Sequence, residues 1–134
     1  MSTRAAEPAV LFDAPLTNAF KPSKWIAIVS REFTFDFDLV AAGGPSTVQY
    51  YLEFANIPGG PAYREIAQED TGSGVVQMPI VIRTFTDNNG TNLADGTYHF
   101  DTEYVRRHRL VRVQIQATAG TVRAKITAPF GIPV

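Results

Sequence analysis

Residues 31–40, REFTFDFDLV, alternate without interruption. Phe33, Phe35, Phe37 and Leu39 fall on one side of an extended chain, and Thr34, Asp36 and Asp38 on the other. Successive side chains of a strand point to opposite faces, so a period of two buries one face and wets the other. The same period returns in TVQYYLEF (47–54), with Val48, Tyr50, Leu52 and Phe54 inside. It returns again in VVQMPIVIRTF (75–85), with Val76, Met78, Ile80 and Ile82 on one side and Pro79 marking an edge or a bulge. KWIAIVS (24–30) reads as a short buried strand, AYREIA (62–67) as a weak one and TYHFDTEY (97–104) as another. No apolar stripe of helical period accompanies them. Turns are expected at AAGGPS, ANIPGGP, QEDTGSG and TDNNGTNLADG, where Gly, Pro, Asn and Asp cluster.

The most constrained stretch is RLVRVQIQATAGTVRAKI (109–126). With Ala119-Gly120 at the tip of a hairpin, Ala117 faces Val122, Ile115 faces Ala124 and Val113 faces Ile126. Gln116 then faces Arg123, Gln114 faces Lys125 and Arg112 faces Thr127. One face is wholly apolar and the other wholly polar, and a slip of one residue would bury Arg123 and Lys125. Gly120 supplies the positive φ of a tight turn. Eight or nine short-linked strands without a helical crossover imply antiparallel pairing. The expected class is all-β, an antiparallel β-sandwich with the jelly roll as one form it can take. Residues 1–24, broken by Pro8, Pro15 and Pro22, read as an extended N-terminal arm. The sandwich then spans 25–128, and 129–134 form a tail.

A chain of 134 residues with 45% apolar and 19% charged residues has the composition of one folded domain. Its net charge of −1 argues against a generic polyanion binder. The charge is unevenly spread, because no acid follows Glu103 while six basic residues do. The cluster at Arg106, Arg107 and Arg109 could meet phosphates, with Tyr98, Phe100 and Tyr104 as the nearest aromatics in sequence. Ion pairing with the acidic first part, within or between subunits, is the preferred reading of those arginines. The absence of cysteine and of an apolar leader segment leads to the expectation of a soluble protein folded in a cytoplasm.

Candidate chemistry is sparse. His99 and His108 stand nine positions apart, with no cysteine to complete a zinc site. Asp87, Asn89, Thr91 and Asp95 imitate part of a calcium loop, but Gly90 comes too early and Tyr98 occupies the place of the closing acid. Glu32, Asp36, Asp38 and Glu53 could supply a carboxylate pair, yet Asp36 and Asp38 alternate with core phenylalanines. No nucleophile–base pair can be named, so neither an enzyme nor a cofactor is expected.

The segment 109–126, together with STVQYYLEFANIPGGPAYREI (46–66), resembles small β-sandwich structural proteins of tailed bacteriophages. The resemblance covers about half the chain and carries no catalytic motif. It implies a virion protein, foremost a capsid decoration or cement protein that binds the major capsid protein at the capsid surface and is assembled in the host cytoplasm. A small tail or head-completion component is equally implied. Such a protein works as many identical copies on a lattice, here as a dimer or trimer. Its expected interface is Val10, Leu11, Phe12, Leu16 and Phe20 of the arm, with Arg106, Arg107 and Arg109. The arm covers either a partner's surface or its own sandwich. The competing function is a carbohydrate- or receptor-binding module, for which Tyr51 and Tyr63 are the aromatic candidates.

Overall fold

Two strands are too long to lie flat in a domain of this size. In the computed structural model, β4 runs from Phe33 to Ala55, 23 residues, and β8 from Leu110 to Ala128, 19 residues. At about 3.3 Å per residue a straight β4 would reach roughly 75 Å. A chain of this length has a radius of gyration of only about 14 Å. Both strands must therefore double over, and both do. The structure describes residues 9–28, 33–64, 81–87, 92–100, 108–129 and 132–134.

β4 and β8 pair antiparallel along their whole length, from Asp36 opposite Thr127 to Ala55 opposite Leu110. The register shifts between Ala42 and Val48, where β4 passes through Gly44 and β8 through Gly120. These two glycines have φ of +61° and +78°. A positive φ inside a strand rotates everything after it, and the burial pattern records the rotation. In β4 the residues of the apolar core are Phe33, Phe35, Phe37, Leu39 and Ala41 before the bend, then Val48, Tyr50, Leu52 and Phe54 after it. The core residues of β8 switch in the same way, from Val111, Val113, Ile115 and Ala117 to Val122, Ala124, Ile126 and Ala128.

The arms face each other as two leaves. The ring of Phe37 lies 4.5 Å from that of Tyr50, and Phe33 lies 6.2 Å from Phe54. Both pairs are placed symmetrically about the Gly43–Gly44 bond, so β4 closes on itself like a book. One apolar cluster fills the space between the leaves.

Further chain lines both sides of this core. β1 (Ala9–Pro15) pairs with the second arm of β8, while β2 (Lys21–Pro22) and β3 (Ile26–Ala27) pair with its first arm. The Leu16 amide donates to the Val122 carbonyl, and the Ala117 amide donates to the Thr17 carbonyl. Residues 9–28 thus follow β8 round the bend. The Lys24 amide donates to the Leu11 carbonyl at 2.9 Å and stitches the leaves at that edge. On the far side of β4 lie β5 (Tyr63–Arg64), β6 (Arg83–Asp87) and β7 (Asn92–Phe100). β9 (Ile132–Pro133) pairs with β3. All nine strands among the described residues belong to one hydrogen-bonded sheet, and every pairing is antiparallel.

The all-β antiparallel class read from the sequence holds, but several local expectations do not. Ala119-Gly120 is not a hairpin tip, because residues 110–128 form one strand. Ala117 sits opposite Val48 and Val122 opposite Ala41 rather than opposite each other. AAGGPS is likewise a bend inside β4, not a turn between strands. The face assignment survives since a fold-over and a hairpin bring the same residues inward. Residues 92–96, expected in a turn, begin β7. Ile82 is exposed, and Phe85 packs against the core in its place. Val76, Met78, Pro79 and Ile80 lie outside the described residues.

Candidate functional site

The outer faces of the two leaves differ in kind. On the first leaf, Asp38 stands opposite Lys125, and Lys125 opposite Asp13. The Arg123 guanidinium meets the Asp13 carboxylate at 2.8 Å with both side chains about half exposed. This is a wet, charge-alternating surface, and it accounts for Arg123 and Lys125 without a ligand.

The outer face of the second leaf is built up instead. Outward positions of β4 and β8 pair in three successive rows: Gln49 with Gln116, Tyr51 with Gln114, and Glu53 with Arg112. Gln116 donates through Nε2 to Gln49 Oε1 at 3.0 Å. Glu53 Oε1 accepts from Arg112 Nε at 2.9 Å and from Gln114 Nε2 at 2.6 Å. The Glu53 and Arg112 side chains retain 11% and 24% of their exposure, so the pair is shielded but reachable. Arg112 also lies over the Trp25 ring, 4.3 Å from its centroid. Trp25 arrives there because β3 pairs beside the start of β8.

Tyr51 is the floor of this surface. Phe20 stands edge-on to it at 4.7 Å, and the Arg64 guanidinium lies over its ring at 4.6 Å. Burial, reinforced by the Glu53 charge, raises the Tyr51 pKa above 10.0, while Arg64 and Arg112 oppose the shift. Tyr63, the other aromatic candidate, is half exposed on β5, and its ring lies 5.1 Å from His108. His108 also lies 5.6 Å from Phe54.

The expected interface residues separate. Leu11 is 2% exposed and belongs to the core, with Phe12 and Leu16 packed against it. Val10 is exposed on β1, and Phe20 covers Tyr51. The segment expected as an arm is therefore, from residue 9 onward, an edge of the sheet, because its apolar side chains complete the core. Arg109 is exposed and hydrogen-bonded through its amide to the Ala55 carbonyl. Arg106, Arg107 and Tyr104 lie outside the described residues, as do Glu32, Asn89 and Thr91. Asp36 and Asp38 belong to the first leaf and Glu53 to the outside of the second, so they do not converge. Among the described residues no three His, Asp or Glu side chains are grouped to hold a metal, and no helix is long and apolar enough to cross a membrane.

Trp25, Glu53, Arg112, Gln114 and Gln116 were not legible as a group. They come from β4, from β8 and from the residue before β3, far apart in sequence, and only the register of β8 against β4 and β3 assembles them. The signal available in the sequence is an alternating polar set, Arg112, Gln114 and Gln116, which the expected hairpin register pairs with Thr127, Lys125 and Arg123.

Comparison with protein-family models, with curated proteins and with solved structures finds no match.

Proposed function

We propose that this chain is a structural virion protein, a capsid decoration or cement protein that binds the major capsid shell. The observation that favours this reading is an apolar rim at the end of the second leaf, away from the fold. Ile57, Tyr63, Ile132 and Val134 keep 62%, 50%, 54% and 63% of their exposure there. Register brings their segments together. Ile57 follows Ala55, which faces Leu110, which faces Ala27, which faces Ile132. Large apolar side chains gathered at one rim of a polar-faced domain suit burial against another protein. Their modest number suits a contact repeated in many copies on a lattice, including contacts to further copies of the chain as a dimer or trimer.

Removing residues 1–20 is not an informative test, because it takes Leu11 and the whole of β1 from the fold. The paired substitution Ile57→Asp with Ile132→Asp changes only exposed side chains. Mass spectrometry of purified particles is expected to find the wild-type chain at a fixed copy number and the variant absent. Full loading of a folded double variant would refute docking through this rim. The bacteriophage assignment itself rests on the resemblance of 46–66 and 109–126, and absence of the chain from particles would end it.

A further inference from the structure

The rows on the outer face of the second leaf hold one another only in part. Glu53 takes both of its hydrogen bonds on Oε1. Its Oε2 has no partner among the described residues, nor do the terminal nitrogens of Arg112 or the Oε1 of Gln114. The Trp25 indole N–H donates to none of them. The Gln49–Gln116 pair likewise leaves one amide donor and one amide acceptor unused. Glu53 and Gln114 are 8% and 9% exposed, while Trp25, Gln49, Arg112 and Gln116 are half-buried and reach the surface.

We infer that this face, from Gln49 and Gln116 to Glu53, Arg112 and Trp25, is a binding site for a neutral oligosaccharide. Sugar hydroxyls both donate and accept, so they need an array that mixes the two, and this one alternates donors with acceptors. An anion fits poorly. Arg112 is already neutralised by Glu53, whose open oxygen would repel a second negative charge. An apolar ligand would strand the same polar groups without water. The Gln49–Gln116 and Glu53–Arg112 rows stand four residues apart, about 13 Å along the strands, with Phe20 and Arg64 over Tyr51 between them, so a ligand that meets both is an oligosaccharide rather than a single sugar. The Trp25 ring, one face of which Arg112 covers, offers its indole N–H to a sugar hydroxyl. Held polar groups on adjacent strands lose little conformational freedom when a ligand arrives. Tyr51, beneath Phe20 and Arg64, supports the site and does not contact the sugar.

This site is independent of the apolar rim, and its test does not require particles. The full-length protein would be screened against an array of neutral, sialylated and sulfated oligosaccharides. The strongest neutral binder would then be titrated calorimetrically into wild type, Trp25→Phe and Gln116→Ala. Trp25→Phe keeps a ring and loses the N–H. Gln116→Ala removes one row at its half-exposed end. Each is expected to weaken binding about tenfold, the effect of one lost hydrogen bond or stacking contact, without moving the melting temperature. Silence across the array would overturn the inference. So would binding confined to sialylated or sulfated sugars, or neutral-sugar binding that both variants retain.

Discussion

Replacing Gly120 with alanine tests the folded-sheet architecture at the point on which it turns. Gly120 has φ of +78°, a region that costs an L-residue about 1–2 kcal/mol. A Cβ there would also strike the other long strand. It would lie 2.8 Å from the Pro45 carbonyl oxygen, 2.9 Å from Ser46 Cβ and closer still to Ser46 Oγ. Two of those three atoms belong to a buried side chain and one to backbone, so the bend of β4 itself must give. Overpacking of that kind costs about a further 1–3 kcal/mol. The sum, about 2–5 kcal/mol, is a large share of a typical domain's stability. Gly44→Ala is the control. Its φ is +61°, but nothing lies within 4 Å of its Cβ, so only the conformational cost of about 1–2 kcal/mol applies. Urea unfolding of both variants, with the slope unchanged, measures the difference. Gly120→Ala is expected to lose at least about 1 kcal/mol more than Gly44→Ala. Equal losses would mean that β4 and β8 do not cross closely at their bends. A hairpin tip at Ala119-Gly120, projecting into solvent, would give that result.

Ser46 is 1% exposed, and its hydroxyl has no partner among the described residues, so Ser46→Ala should be neutral or stabilising by up to about 1 kcal/mol in the same unfolding assay. Arg112→Ala should cost about 2–3 kcal/mol, because it leaves the shielded Glu53 carboxylate without its counter-charge, whereas Arg123→Ala should cost less than about 1 kcal/mol, since its pair with Asp13 is half in water. Tyr51 has a raised pKa, so the unfolded chain releases the phenolic proton first; stability should hold below pH 10.0 and fall as pH rises through the folded value. Tyr51→Phe should flatten that alkaline decline, and phenolate absorbance should report the late titration in the wild type.

Alternation decided what the chain could disclose. Phe33 through Leu39 and Val48 through Phe54 announce their buried faces because each side chain has only two directions available in a strand. The same information cannot say which strand lies beside which. Val113, Ile115 and Ala117 followed by Val122, Ala124 and Ile126 satisfy a hairpin and a fold-over equally, since each reverses the face at the glycine. Chain length decides between them only once the neighbours are known. β4 carries the same inversion at Gly44, and two long strands with matched inversions can share one crease. Taken one at a time, AAGGPS and ATAGT look like two unrelated turns.

The crease also explains why the N-terminal prolines misled. Pro15 and Pro22 lack amide donors, which suits a mobile arm and the outermost strand of a sheet alike. Among the described residues, 9–22 lie outermost along β8, and only β3 has a further strand, β9, beyond it, so missing donors at the free side of Pro15 and Pro22 cost nothing there. The same placement sets Phe20 against Tyr51 and Trp25 against Arg112 on the outer face of the second leaf. Phe20 falls in the expected arm and Trp25 in the short strand expected at 24–30, and nothing in either stretch sets them beside Tyr51 or Arg112. The edge ribbon that completes the core thus also builds the walls of the proposed sugar site. A substitution that loosens this ribbon without unfolding the leaves, such as Pro22→Gly, should weaken sugar binding before it weakens the fold.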